Sequence, residues 1–548
     1  MLKTFQKFIE TRYRLVSVLV FVSLICYAWI NRFVQDDAFI SFRYAKNFIK
    51  GWGLVFNKGE RVEGYTNFLW TLIMSIPIKM GIDPVLFSYL LGILLFFLSL
   101  LLTYKLANLI LKSKKQSLLT VFLLGTNYTF SCYATGGMET QLQTAAILIS
   151  FSLLFAFSSN QKSSLIRLFI LSTILAMLIL IRPDSILFVL ILFTGFYLIT
   201  KRNNTTHTVI FKKYVVLTIP FLTLMIIYLI WKIDYYGNVL PNTYYVKASG
   251  NTSIIHGLLY SVRFLTSYWL FPFVIIMLIY LKDLKKNTGN KIKLLAAAIL
   301  IWTLYIIKVG GDFMEFRFFV PVMPFLFIIL VWMIFNLFQS GKLRSAFVLI
   351  IFIGSFYHLL TFHFQSEIES ITYLKSHLTA PDQNWVGTGK RLGRLFKGEN
   401  VLIAVSPAGA VPYFSNLPSL DMYGLNDPNI AREKNIVSYR PGHQKLAAID
   451  YLQDQNVNIL VGEPLVMKLP FRINDITPLI FERQFKYKIE DFNRIKPKIL
   501  VTNLDNSHDL VMLYLHKSGE VNKAIEEGKI KEFPFSDITF NGQQLISE

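Results

Sequence analysis

The sequence predicts a mainly α, polytopic membrane protein that ends in an extracytoplasmic α/β domain. Three observations carry this. The 548 residues are 53% hydrophobic and only 16% charged, with mean hydropathy +0.47, whereas soluble proteins carry about 25% charged residues. The apolar residues gather in runs long enough to cross a bilayer, which takes roughly 17–25 residues. Those runs stop near His363, so residues 1–363 read as a membrane domain and 364–548 as a soluble one.

Charge assigns the sides. The net charge is +21, but from Phe364 onward 21 basic and 22 acidic residues nearly cancel. The short loops assigned to the cytoplasm hold 20 basic and 2 acidic residues. The basicity is therefore positive-inside topology, not a nucleic-acid footprint. Cys26 and Cys132 both lie inside apolar runs and offer neither a disulfide framework nor a thiolate metal site. Lys3, Lys7, Arg12 and Arg14 precede the first apolar run, with no small-residue cleavage site before Asp36. That pattern predicts an uncleaved signal anchor with a cytoplasmic N-terminus.

The first span, residues 15–30, ends shortly before Asp36-Asp37 on the outer face. Phe39, Phe42, Ala45 and Ile49 then recur at helical spacing, with Arg43, Lys46, Asn47 and Lys50 between them. This predicts an amphipathic helix on the membrane surface. Gly51-Trp52-Gly53 ends it, and Asn57-Lys58-Gly59 marks a turn. Thr66 or Asn67 can cap a second surface helix, 68–80, whose apolar run is too short to span. Residues 31–82 thus form a large first outer loop. After Gly81-Ile82-Asp83-Pro84 the second span is 85–111. The third is 118–133, the fourth ends at Phe157, and the fifth is 168–181. The sixth returns to Lys201-Arg202, the seventh is 214–233, and the eighth ends at Leu281 before the basic stretch 282–293. Residues 294–307, 318–338 and 347–363 complete eleven spans. Beyond them, 400–405, 457–461 and 498–502 read as buried strands and 444–453 as a helix, hence an α/β domain.

The residues with unusual chemistry all fall in outer loops: Asp36-Asp37, Glu139, Arg182 with Asp184, the segment 234–247, and Asp312, Glu315 and Arg317. The inner loops are short and basic, with nothing shaped like a phosphate loop. A site on the outer face has no nucleotide sugars at hand, so an activated donor must come from the membrane as a lipid-linked phosphate. Asp36 and Asp37 supply a carboxylate to accept a hydroxyl proton or to stabilise cationic character at an anomeric carbon. Arg43, Arg182, Lys247 and Arg317, with Tyr244 and Tyr245, supply donors for a phosphate leaving group. Structural alternatives stand beside each. The aspartates can cap a helix, Arg43 can snorkel, and Arg182–Asp184 and Asp312–Arg317 can be local ion pairs. Glu139 can be a first-turn charge, and the tyrosines an aromatic belt. His358 and His363 are too few for a metal site and read as interfacial polar residues.

Several motifs then converge. These are 36–45 (DDAFISFRYA), 53–70 (GLVFNKGERVEGYTNFLW), Gly136-Gly137-Met138-Glu139-Thr140, Arg182-Pro183-Asp184, 236–243 (YGNVLPNT), Gly310-Gly311-Asp312-Phe313-Met314, 421–427 (DMYGLND) and Pro441-Gly442-His443-Gln444-Lys445. In this order, over residues 31–445, the chain resembles GT-C glycosyltransferases of the terminal β-(1→2)-arabinofuranosyltransferase type. The resemblance implies a GT-C-type helix bundle with two surface helices in its first outer loop and a soluble outer domain. It implies transfer of arabinofuranose or a similar sugar from a polyprenyl-phosphate donor to a cell-envelope glycan, in a bacterial inner membrane. Asp36 and Asp37 map onto the catalytic signature, with Asp36 the essential carboxylate, most simply the base for the acceptor hydroxyl, and Asp37 in support of it. Substrate binding would fall to Arg43, Tyr44, Glu63, Tyr65, Asn67, Glu139, Arg182, Asp184, Asn242, Tyr244, Lys247, Asp312 and Arg317, and acceptor binding to Asp421, Asn426, Asp427 and His443. A divalent cation at Asp37 is left open, and no other cofactor is implied. A transporter or flippase of lipid-linked sugars would show charges near span midpoints and paired broken helices. A sensor would need longer inner loops. The sequence shows none of these features.

Overall fold

The computed structural model describes residues 12–537 apart from 160–164, 203–206, 249–253, 280–288, 365–367, 399, 435, 439 and 441. Lys3, Lys7, Lys162, the end of the eighth predicted span with most of its basic loop, and Pro441 lie outside the described residues.

Each of the eleven predicted spans falls mainly on helix among the described residues. Among the described residues eight helices are long and apolar enough to cross a membrane, or nine if one bent pair counts as a single span. The eighth predicted span is a bent pair, Ile254–Ser267 and Phe271–Met277, turning by 100°. Trp269, at φ 56°, makes that turn. Leu165–Ile181 has 17 residues. The third span breaks into Lys114–Gly125 and Tyr128–Cys132, because the Asn127 side chain accepts from the Phe130 amide and starts a new helix. The break falls on the polar stretch Gly125-Thr126-Asn127-Tyr128-Thr129, which a single span over 118–133 passes over.

The first outer loop differs from expectation in one respect. Helix Asp36–Ile49 is covered by protein on its polar face as well as its apolar one; Ala38 to Ala45 are buried without interruption. The outer-domain helix Ala410–Ser415 covers it, with Phe39 packed against Tyr413 and Phe414 at ring distances of 5.4 and 5.3 Å. Its polar side chains meet carbonyls instead of water. Arg43 donates to Phe56 O and Leu417 O at 2.8 Å each, to Asn57 Oδ1 at 3.0 Å, and to Pro412 O. Asn47 donates to Val55 O and Phe56 O at 2.9 Å each. An amphipathic pattern specifies one apolar face but not what the polar face bonds to. The second surface helix, Phe68–Lys79, follows. Asn67 stands at its N-cap position but does not cap it. Its amide donates to Glu139 at 2.7 Å instead.

The outer domain is built on a six-stranded sheet: β1 (Ile403–Val405), β2 (Ser419–Asp421), β3 (Ile459–Lys468), β4 (Lys498–Asp505), β5 (His508–Tyr514) and β6 (Lys531–Pro534), ordered β2-β1-β3-β5-β4-β6. The first three in that order pair in parallel, and the rest are antiparallel. β1, β3 and β4 overlap the predicted strands, β1 being shorter and β3 and β4 running further than predicted. The predicted helix at 444–453 begins only at Ile449. Before it, the chain runs extended, with the Ala447 amide on Met422 O at 2.8 Å and the buried Lys445 ammonium on Glu433 O. One side of the sheet contributes Val405, Val461 and Leu500 to a core that continues into Phe39, Phe42 and Trp70 of the first outer loop. Outer domain and first loop therefore share one apolar core, which fixes the loop helix against the sheet.

Candidate active site

A cavity of about 240 Å³ lies where the bundle, the first-loop helix and the outer domain meet. Asp36 and Asp37 open the helix Asp36–Ile49 and line the cavity from one side. Lys247 and Arg317 line it from the segments that follow the seventh and ninth predicted spans. Ser406–Ala408, Tyr423, Arg440 and His443 close it from the outer domain.

The two aspartates are used differently. Asp36 Oδ1 accepts from the Ala410 amide at 2.7 Å and Oδ2 from the Gly409 amide at 3.0 Å. This clasp works only with glycine at 409, where a Cβ would stand 1.9 Å from the Asp36 carbonyl oxygen. Burial pushes the Asp36 carboxyl up to about 7, against the opposing pull of the Ala410 amide. Asp37 makes no hydrogen bond among the described residues. Burial raises its pKa as well, while Arg317 and Lys247 draw it back down. Lys247 has no carboxylate partner among the described residues. Arg317 is paired with Asp312 at 2.7 Å.

The outer half of the cavity holds groups that no sequence motif marked. Glu369 bridges Arg440 and His377, the latter at 3.4 Å. Burial pushes the Glu369 carboxyl up, but the His377 hydrogen bond and the Arg440 charge outweigh it and hold it at about 2. His377 is fixed by Gln383 at 2.6 Å and stacks on Trp385, 4.4 Å between rings. Glu463 and Lys486 pair at 2.5 Å on the same wall. Glu369 and His377 lie eight positions apart with no periodic partner, so spacing alone carries no signal for them. His443 sits between Phe313 and Tyr423, 5.0 and 4.8 Å away.

Of the sequence-predicted residues, Asp36, Asp37, Lys247, Arg317 and His443 line the cavity, with Asp312 behind Arg317. The others lie elsewhere. The nitrogens of Arg43 are committed to carbonyl and amide oxygens, as described above. Glu139, Arg182, Asp184 and Asn67 form a closed network. Arg182 is 2.9 Å from Glu139 and 2.7 Å from Asp184, so the local ion pair foreseen for Arg182–Asp184 is present. Tyr44, Asp421 and Asn426 join the first loop to the C-terminal domain, and Asn242 and Asp427 join the segment after the seventh predicted span to it. Glu63 and Tyr65 join the first loop to helix His207–Tyr236. Tyr44 Oη lies 2.8 Å from Val62 O and 3.0 Å from Asn426 Oδ1. Asn426 donates twice to Asp421, at 2.9 and 3.0 Å. Asn242 donates to Gly424 O, Leu425 O and Asp427 O at 2.8–3.1 Å, and Asp427 caps helix Pro428–Arg432. Glu63 pairs with Lys232 at 2.8 Å, and Tyr65 with Tyr236 at 3.0 Å. Tyr244 is 49% exposed and does not line the cavity. Among the described residues no group of three or more His, Cys, Asp or Glu side chains is placed to hold a metal ion. Asp37 instead faces two cationic side chains, a donor set that does not fit a divalent cation.

Comparisons with known proteins bear on this arrangement. A terminal β-(1→2)-arabinofuranosyltransferase of Mycobacterium tuberculosis is 24% identical over 252 residues, covering 44% of this chain and 39% of the relative. The Corynebacterium glutamicum protein of the same description is 25% identical over 326 residues, covering 53% and 46%. Each match thus spans less than half the length of the curated relative. Residues 379–512 match a family described as a domain of unknown function, DUF8728. Among solved structures, ArnT from Cupriavidus metallidurans bound to undecaprenyl phosphate superposes with TM-score 0.55 at 11% identity, over 92% of this chain and 98% of that one. The apo Archaeoglobus fulgidus oligosaccharyltransferase gives TM-score 0.50 at 11% identity, over 90% and 74%. The chain is a multi-pass membrane protein with the GT-C fold, a bundle carrying a C-terminal sheet domain, and it is similar to GT-C glycosyltransferases.

Proposed function

We propose that the protein is a glycosyltransferase that moves a sugar, arabinofuranose or a similar pentose or hexose, from a polyprenyl-phosphate donor to a cell-envelope glycan on the outer face of a bacterial inner membrane. The observation that carries this reading is the cavity that gathers an unspent carboxylate, Asp37, with two cations, Lys247 and Arg317, at the seam of bundle and outer domain. The solved ArnT is bound to undecaprenyl phosphate, which supports a donor of this kind for a chain of the same fold.

In this mechanism the donor phosphate lies against Lys247 and Arg317, whose positive charge stabilises it as it leaves. Asp37 accepts the proton of the acceptor hydroxyl, in place of Asp36, the base that the resemblance implies. Asp36 is engaged by the Gly409 and Ala410 amides, while Asp37 is an unbonded carboxylate, among the described residues, raised by burial. Asp36 positions the helix start through its bonds to Gly409 and Ala410. The acceptor glycan lies along the outer-domain wall, with His443 the one member of the expected acceptor set on it. Tyr423 and the Glu369–His377–Arg440 group complete that wall. The lipid chain reaches the cavity laterally from the outer leaflet.

The test is transfer from an undecaprenyl-phosphate-linked sugar to isolated cell-envelope glycan in membranes. Asp37→Asn is expected to lower turnover at least about 100-fold with normal insertion. Full activity of that variant would sink the assignment.

A further inference from the structure

The bundle holds a second, larger recess of about 1110 Å³, at the opposite end of the ninth predicted span from the cavity. One wall is the stripe Leu190, Thr194 and Leu198 on helix Ile186–Arg202, and the other is Leu294 and Ile301 on helix Asn290–Lys308. Leu190 and Leu198 are each 57% exposed, so the groove opens sideways toward lipid. Its mouth carries Lys112, Lys291 and Lys293, and the described lining contains no Asp or Glu. None of the three lysines is paired with a carboxylate among the described residues.

Position and length narrow the occupant. The mouth belongs to the basic, inner end of the helices. The other end of helix Asn290–Lys308 leads through Gly311 to Arg317 in the cavity. From Lys291 to Ile301 the helix rises about 15 Å, half of the ~30 Å hydrocarbon core. The groove is thus one leaflet deep, with cations at headgroup level and an apolar floor above them. That is the charge and length complement of one acyl chain beneath a phosphodiester.

We propose that this groove binds an anionic diacyl phospholipid of the inner leaflet, with its phosphodiester held by Lys112, Lys291 and Lys293 and one acyl chain laid between the two helices. The site is separate from the transfer chemistry and stands or falls independently of it.

The test is native mass spectrometry of the purified full chain in detergent. It is titrated with dioleoylphosphatidylglycerol, dioleoylphosphatidylcholine or undecaprenyl phosphate. Phosphatidylglycerol is expected to bind about 100-fold tighter than phosphatidylcholine, since each lysine near a headgroup contributes about fivefold. The triple variant K112Q/K291Q/K293Q should abolish that preference. Thr194→Trp, which fills the groove and leaves the lysines in place, should displace both phospholipids. If either variant fails to elute as a single species, the other decides. Equal affinity for the two phospholipids, a preference that survives the folded variant, or tighter binding of undecaprenyl phosphate would each overturn the assignment.

Discussion

Two charge clusters at one end of the bundle use the same residue types to opposite effect. In the Glu139–Arg182–Asp184 cluster, one guanidinium serves two carboxylates, and Asn67 occupies the remaining Glu139 oxygen. In the cavity, Asp37 and Lys247 face each other's field without closing on a partner. A buried charge with every bond made serves as scaffold, because its desolvation is offset within the protein. A charge held close to its opposite yet left without a bond is available to a ligand. The sequence marks both clusters as equally unusual; only the bonding separates them.

Variants can break this contrast. The largest expected effect is on turnover. Asp37→Asn should lower it at least about 100-fold at unchanged melting temperature, while Arg182→Met should leave turnover per folded molecule within about threefold. Arg182→Met should instead destabilise the fold by about 3–5 kcal/mol, because it strands two buried carboxylates; thermal unfolding in detergent reads this. If Arg182→Met abolishes transfer in a fully folded protein, the scaffold reading of that cluster fails.

A smaller effect concerns pH. The folded Asp36 carboxyl sits at about 7, above the ordinary value near 3.9, so folding favours its protonated form. Its contribution is therefore full below about pH 4 and is lost as pH rises through 7. Glu369 runs the other way, since its folded value of about 2 lies below the ordinary ~4.3. Its contribution is present above that ordinary value and is lost as pH falls toward 2. Melting temperature followed against pH should show the Asp36 slope, and Asp36→Asn should flatten it between about 4 and 7. A slope unchanged in that variant would detach the effect from Asp36. The smallest effect is expected at Tyr244, which lies outside the cavity. Tyr244→Phe should change transfer less than twofold, about the limit of a kinetic assay, and a large loss would extend the site beyond the cavity.

Much of the architecture was legible in the sequence. Long apolar runs and basic inner loops follow from what a bilayer demands, so span positions read directly. The bend at Trp269 depends on one residue and leaves no periodic trace, whereas the break at Asn127 coincides with a polar stretch, residues 125–129, inside an apolar run. The site was legible where charge stood out against apolar surroundings, as at Asp36, Asp37, Lys247 and Arg317. It was illegible in the outer domain. There Glu369, His377 and Glu463 are ordinary surface-type residues until the sheet brings them together. The same motifs that flagged Asp421 and Asn426 turned out to hold turns and interfaces, because short polar side chains serve both purposes.

The bond between Asp36 and residue 409 has a consequence for biogenesis. The carboxylate belongs to the beginning of the chain, and its two amides belong to a stretch more than 370 residues later. While the chain is being made, the membrane helices stand complete before the segment that seats Asp36 has emerged. The cavity thus comes into being last, after the C-terminal domain has folded and set Gly409 on Asp36. Until then the half-built bundle carries its charges at one end with no cavity to hold them.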